Sequence, residues 1–124
     1  FSFLSQINRH FLCGICDLLG IETAISEDRD YSTSNDRTTR LVDLCVQASA
    51  TDYVSGPAAR EYLETEQFYD KKITVSWMDY SGLAAYGQLY PPFDGAVSIL
   101  DAICHLGIDK VRVFGSNVGA QHGS

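Results

Sequence analysis

The chain has 124 residues and a formal net charge of −7, from 16 acidic side chains against 9 basic ones. An acidic domain without a basic stripe lacks the counterion-release drive for nucleic acid, and an anionic membrane surface repels it. Its 45% hydrophobic content suits one buried core, and runs such as residues 96–100 fall far short of the roughly 20 needed to span a bilayer.

In chain order, Phe3, Leu4, Ile7, Phe11, Leu12, Ile15, Leu18 and Leu19 recur at helical spacing, and Gly20 stands where a helix stops. Inside this helix lies a C-x-x-C, Cys13-Gly14-Ile15-Cys16. A redox pair would need a strand before it and a helix N-terminus at the thiols. Zinc would need two more ligands at matching spacing, and Cys45 and Cys104 do not supply them. All four cysteines are therefore expected in the core, with no metal site. Ile21–Ile25 reads as a short strand, and the polar residues 26–36 as a loop.

Helical spacing returns from Arg37 with Leu41, Leu44, Cys45 and Ala48, and Asn35 or Asp36 is placed to cap it. Asp52–Ser55 is a brief strand ended by Gly56-Pro57, and Pro57 opens a short helix over Ala58–Leu63. Ile73–Trp77 alternates, is rich in β-branched residues and makes the clearest strand. Residues 79–94 form a second long loop; Ala96–Leu106 is a helix closed by Gly107. Val111–Phe114 reads as a last strand, and 115–124 as a flexible tail. This alternation predicts an α/β fold: a small, mostly parallel sheet with helices on both faces, in three layers, formed by residues 1–114 as a single domain.

In such sheets ligands bind beyond the carboxyl ends of the strands. Loops 26–36 and 79–94 both follow expected strands and exceed the about 2–6 residues that simple linkage needs. Arg37-Thr38-Thr39-Arg40 opens a helix, where free N–H groups and the dipole favour an anion, and two arginines can grip a phosphate or carboxylate. On spacing alone, a threonine cap with solvated arginines fits equally well. Ser55 at a strand end invites a nucleophile reading, but no G-x-S-x-G elbow surrounds it and neither His10, His105 nor His122 is placed beside it. Ser55 and Gly56 are expected to line a ligand or form the turn. Tyr80, Tyr86, Gln88 and Tyr90 offer flat faces and polar tips suited to a sugar or base, or rings that pin the loop. Asp101 is expected to be structural, as a cap or as the partner of a buried group.

The blocks Arg37–Cys45, Tyr53–Ala59, Tyr62-Leu63, Phe68, Trp77–Tyr80, Tyr86–Phe93, Val97–Asp101 and Gly107 resemble, in order and spacing, the WbqC-like protein family. The resemblance covers about residues 20 to 107. Three places depart from it: the family usually has Lys at Arg37, commonly Pro at Gly87, and a charged, His-bearing stretch near Asp94–Ala96. Family members also open with a strand carrying a His-x-Pro-x-Tyr-type motif and a later Arg/Asn-rich segment, neither of which is found here. The resemblance thus implies the C-terminal half of a longer unit, and the chain does not begin with Met.

What the resemblance implies about activity is a transferase of bacterial O-antigen and related surface-glycan synthesis, moving an acyl, aminoacyl or related group onto a sugar or nucleotide-linked sugar. Arg37, Thr38 and Arg40 would then hold a diphosphate or carboxylate, Ser55 and Gly56 the floor, and Tyr80, Tyr86 and Gln88 the sugar or base. The alternative is a non-catalytic module binding a glycan or protein, or an inactive truncated fragment. Catalytic residues and cofactors are unassigned. The expected partner is an anionic small molecule such as a nucleotide sugar, with no nucleic acid and no membrane. Self-association as a homo-oligomer is expected if truncation exposes a sheet edge. No basic segment followed by an apolar one opens the chain, so a cytoplasmic location is expected.

Overall fold

In the computed structural model, which describes residues 2–114 and 119–122, the chain has an α/β fold built from two compact units. One is a strand unit of residues 26–82 with residues 119–122; the other is a helical unit of the residues up to 25 with 83–114.

The strand unit centres on β1 (Asp52–Ser55) and β2 (Thr74–Asp79), which pair in parallel from Asp52↔Thr74 to Ser55↔Trp77. Parallel pairing needs a crossover, and the segment between supplies one: a 3-10 turn at Pro57–Glu61 and the one-turn helix α3 (Glu66–Tyr69). The helix expected over Ala58–Leu63 is thus a tighter turn, and α3 has no counterpart in the sequence reading. α2 (Arg37–Gln47) precedes β1 as expected and is capped by Asp36, whose carboxylate accepts from the Thr39 N–H at 2.9 Å. Val42 and Cys45 of α2 pack with Ala59, Leu63, Phe68, Ile73, Val75 and Trp77 into the core cluster. Phe68 and Val75 are fully buried, and Tyr53 stacks on Phe68 with ring centroids 4.9 Å apart. Val75, Ser76 and Trp77 are buried in succession, as befits a central strand rather than one with a wet face.

Three expected features are corrected here. Ile21–Ile25 forms no strand: five apolar-to-polar residues have β propensity but no neighbour to pair with, and Ile21 is exposed. Loop 26–36 therefore follows no strand, and within it Asp28–Asp30 makes a 3-10 turn. The sheet also gains β3 (Gly119–His122), which pairs antiparallel with β2 from Ser76↔His122 to Asp79↔Gly119. These residues were expected in the flexible tail; its other positions, 115–118 and 123–124, lie outside the described residues.

The helical unit contains α1 (Leu4–Leu19), α4 (Ile99–Leu106) and α5 (Ile108–Phe114). Gly20 ends α1 in the left-handed region at φ 70, as its position in the sequence suggests. α5 overturns the strand expected at Val111–Phe114. The Val-Arg-Val-Phe alternation looks extended, but burial of Val111 on a helical face and the Val111 N–H to Gly107 carbonyl bond at 3.2 Å prevail. Arg112 then closes α1: its Nε and Nη2 donate to the carbonyls of Leu19 and Leu18, each at 3.1 Å, which satisfies the end of a helix from another element. α4 begins at Ile99, where Ser98 caps it by accepting from the Leu100 N–H, rather than at Ala96.

Gly107 joins α4 to α5 at φ 80 and ψ 161, a region that only glycine populates readily. A Cβ there would meet no atom within 4 Å, so strain alone decides the effect. Gly107→Ala is expected to destabilise the protein by about 1–3 kcal/mol in a denaturant titration. No change would mean that the turn relaxes freely.

Of the four cysteines, all free thiols, Cys45 is buried, Cys13 and Cys16 are half-buried, and Cys104 is exposed. The expectation of four core thiols thus holds fully only for Cys45. Burial pushes the Cys45 thiol above its ordinary value, which keeps it protonated and a poor nucleophile.

Candidate functional site

The candidate site lies at the carboxyl ends of β1 and β2. α2 leads into β1 through a short connection in which the Ala50 N–H donates to the Cys45 carbonyl at 2.8 Å and closes the last turn of the helix.

Each arginine in this region has a definite seat. The Arg37 guanidinium lies 3.6 Å from the centre of the Tyr62 ring, a cation–π contact on an exposed side chain. Arg60, on the 3-10 turn, sits 5.4 Å from the centre of Trp77, the residue in register with Ser55. Arg40 is paired with Asp28 of the preceding loop; both side chains are about half exposed, so the pair is weak and open to exchange. Thr38 is buried at 4% exposure and packs inward instead of offering its hydroxyl.

The helix terminus itself is already supplied with an anion. Asp36 accepts from both the N–H and the hydroxyl of Thr39, at 2.9 and 2.7 Å. Those two bonds hold its carboxyl below the ordinary value of 3.8. The cap expected at Asp36 is therefore present, and what remains for a guest is the guanidinium edges rather than the backbone.

Ser55 is half-buried, and none of the described side chains in its unit is a histidine. Gly56 is in ordinary extended conformation at φ −70, and a Cβ on it would touch nothing. Tyr80 directly follows β2 and is exposed, beside a turn in which Asp79 accepts from the Ser81 N–H at 2.9 Å.

Tyr86 and Gln88 belong to the helical unit, where a second polar cluster forms around Asp101. The Asp101 carboxylate accepts from the Tyr86 hydroxyl at 2.6 Å and from Gln88 Nε2 at 3.0 Å. The Gln88 amide is used at both ends, since it also donates to the Asp94 carbonyl and accepts from the Asp94 N–H. Tyr86 packs edge-on against Phe93, and with Ala84, Ala85, Leu106, Asp109, Lys110 and Val113 it lines a groove of about 530 Å³. Asp101 thus does what was expected of it, as a structural partner, while Gln88 organises its own loop.

Hydrogen bonds from Tyr86, then from Gln88, hold the Asp101 carboxyl below 3.8, with a smaller contribution from the charge of His105; the Tyr86 phenol is pushed up by the same contact. A depressed carboxyl contributes stability in full above its unfolded value, about 3.9, and that contribution fades as pH falls below it toward the folded value. Acidification below about pH 4 should therefore detach residues 86–94 from α4, and Asp101→Asn should remove that pH dependence. Tyrosine fluorescence or amide resonances across that range provide the check.

Sequence reasoning passed over Arg60 and Tyr62 as contributors to the anion-binding edge. The signal was present: a Pro-initiated turn directly after a strand end must place its next side chains over that end. His105 was weighed only as a base for Ser55, although it stands one helical turn after Asp101.

Comparison with known proteins bears on this arrangement. The model of the WbqC-like protein family matches residues 1–113, nearly the whole chain. The chain belongs to this family. A curated relative, the uncharacterized protein Rv1507c of Mycobacterium tuberculosis, is 45% identical over 106 residues, covering 86% of this chain and 46% of the relative. This WbqC-like chain therefore spans about half the length of the relative it matches. No solved structure matches it. Among the described residues, no helix is long and apolar enough to cross a membrane, and no group of three His, Cys, Asp or Glu side chains is placed to hold a metal ion.

Proposed function

We propose that this WbqC-like chain is part of a transferase acting on a nucleotide-linked sugar, moving an acyl, aminoacyl or related group in the assembly of bacterial O-antigen or other surface polysaccharide. The observation that carries the reading is the two guanidinium groups held over aromatic rings around the turn that follows β1, Arg37 on Tyr62 and Arg60 on Trp77, the residue in register with Ser55. A guanidinium that rests on a ring face keeps its in-plane N–H donors available, a form suited to bidentate grip of a diphosphate.

In this reading Arg37 and Arg60 take the diphosphate, and Arg40 exchanges Asp28 for a phosphate oxygen when the ligand arrives. Ser55 and Gly56 form the floor, and Tyr80 offers its ring to the sugar or base. Thr38 supports the first turn from inside. The chain's own net charge of −7 makes such a local basic spot selective, because anions are repelled elsewhere on its surface. The proposal rests on the strand unit alone; Tyr86 and Gln88 belong to the helical unit, where both are bonded to Asp101.

The test is calorimetry with a panel of nucleoside-diphosphate sugars, on the wild-type chain and on Arg40→Ala. Loss of one charge-assisted contact of about 1.5–3 kcal/mol should weaken binding by about 10- to 100-fold. Unchanged affinity would remove Arg40 from the site. If a chain of the relative's full length bound no nucleotide sugar either, the substrate class would be wrong.

A further inference from the structure

The helical unit contains a device that the proposed activity does not use. The His105 Nδ1 lies 2.8 Å from the Asp101 carbonyl oxygen, which can only accept, so this nitrogen carries a proton. The His105 Nε2 lies 3.0 Å from the backbone N of Leu89, which can only donate, so this nitrogen must present its lone pair. Together these partners dictate one state of the ring: neutral, protonated at Nδ1.

We propose that His105 is a proton-operated latch on the Leu89–Phe93 segment, closed when the imidazole is neutral and opened when Nε2 takes a proton. A second proton would set one N–H against another at Leu89, turning an attraction into a repulsion. The imidazolium would not be expelled from its place, because the Asp101 Oδ1 is 3.3 Å from Nδ1 and becomes its ion-pair partner. The ring therefore stays and the backbone of Leu89 leaves.

The groups around the ring are few. From the loop comes Tyr86, with ring centroids 6.1 Å apart, and beyond it Asp94, which is held by Gln88. From its own helix comes Asp101, and α5 brings Asp109 and Lys110 to the groove that Tyr86 also lines.

The latch releases only part of the loop. Tyr86 and Gln88 are held by the Asp101 carboxylate, which a proton on Nε2 of His105 does not touch, so opening begins at Leu89. The freed stretch carries Leu89 and Tyr90, already 72% and 82% exposed, so its release buries nothing and loses little packing. At the far end Phe93 still rests on Tyr86 and Asp94 on Gln88, so the release is confined to the stretch between Leu89 and these contacts. The inference stands whether or not the chain transfers a sugar.

The experiment is an NMR pH titration of the whole chain, following the His105 ring carbon-bound protons and the Leu89 amide in one sample. The Leu89 amide resonance should move with the midpoint of the His105 ring, and its exchange protection should fall about tenfold for each pH unit below that midpoint. In His105→Gln, whose side-chain oxygen can accept from Leu89 but does not titrate, the Leu89 amide should be flat over the same range. A Leu89 amide that stays constant while the His105 ring titrates would overturn the latch, even if the variant does not fold. So would a variant that keeps the wild-type pH dependence.

Discussion

Phe68→Ala is expected to lower the stability of the chain by about 3–5 kcal/mol, the range for emptying a fully buried aromatic site. Phe68, on α3, has no exposed surface and packs in the core cluster with Val42 and Cys45 of α2 and Val75 and Trp77 of β2, with Tyr53 stacked on its ring. Its backbone carbonyl also accepts the Ile73 N–H at 3.0 Å, the bond that turns the chain into β2. The site cannot collapse easily, since its walls belong to a helix, a strand and the crossover between them. Domains are typically stable by only about 5–15 kcal/mol, so the variant should lose much of its folded population on mild heating. Urea unfolding followed by Trp77 fluorescence is the check, and a loss under about 1 kcal/mol would mean that the core is not packed around this ring.

The second large effect concerns the ligand. Arg37→Ala should weaken nucleotide-sugar binding by about tenfold or more while leaving the fold intact, because Arg37 is exposed and its loss empties no core. Arg37→Lys should recover only part of the affinity. An ammonium keeps the charge but neither stacks flat on Tyr62 nor offers two parallel donors. Tyr62→Leu offers a further control: it preserves the arginine and removes its seat, and binding should fall in between. Equal affinities across the three variants would remove the stacked guanidinium from the account.

How much of this was legible in the sequence differs from place to place, for physical reasons. α2 and β2 were readable because local signals agree there: an Asp36 cap, apolar residues at helical spacing, then β-branched residues in alternation. The parallel pairing of β1 and β2 followed from the helical crossover between them. β3 was not readable, since four small and polar residues become a strand only by pairing with β2, some forty positions earlier in the chain. α5 was misread because Val111 and Val113 favour a strand locally, while the fold asks Val111 to bury its side chain and Arg112 to cap α1.

The site shows the same division. That arginines stand at the start of α2 is a matter of sequence, but whether they are free, stacked or paired depends on Tyr62, Asp28 and the turn at Pro57. Helical period alone puts Thr38 at the terminus; only packing shows that it faces inward. Asp101 and His105 are four apart, so their adjacency was legible, whereas the loop residues that return to them were not.

The most direct test of the stacked-arginine edge is an amide and guanidinium NMR map of the chain during titration with a nucleoside-diphosphate sugar. The account predicts that the Nε resonances of Arg37 and Arg60 and the amides of Ser55 and Gly56 shift together and saturate at one Kd. Saturable binding that leaves those four positions unmoved would contradict it.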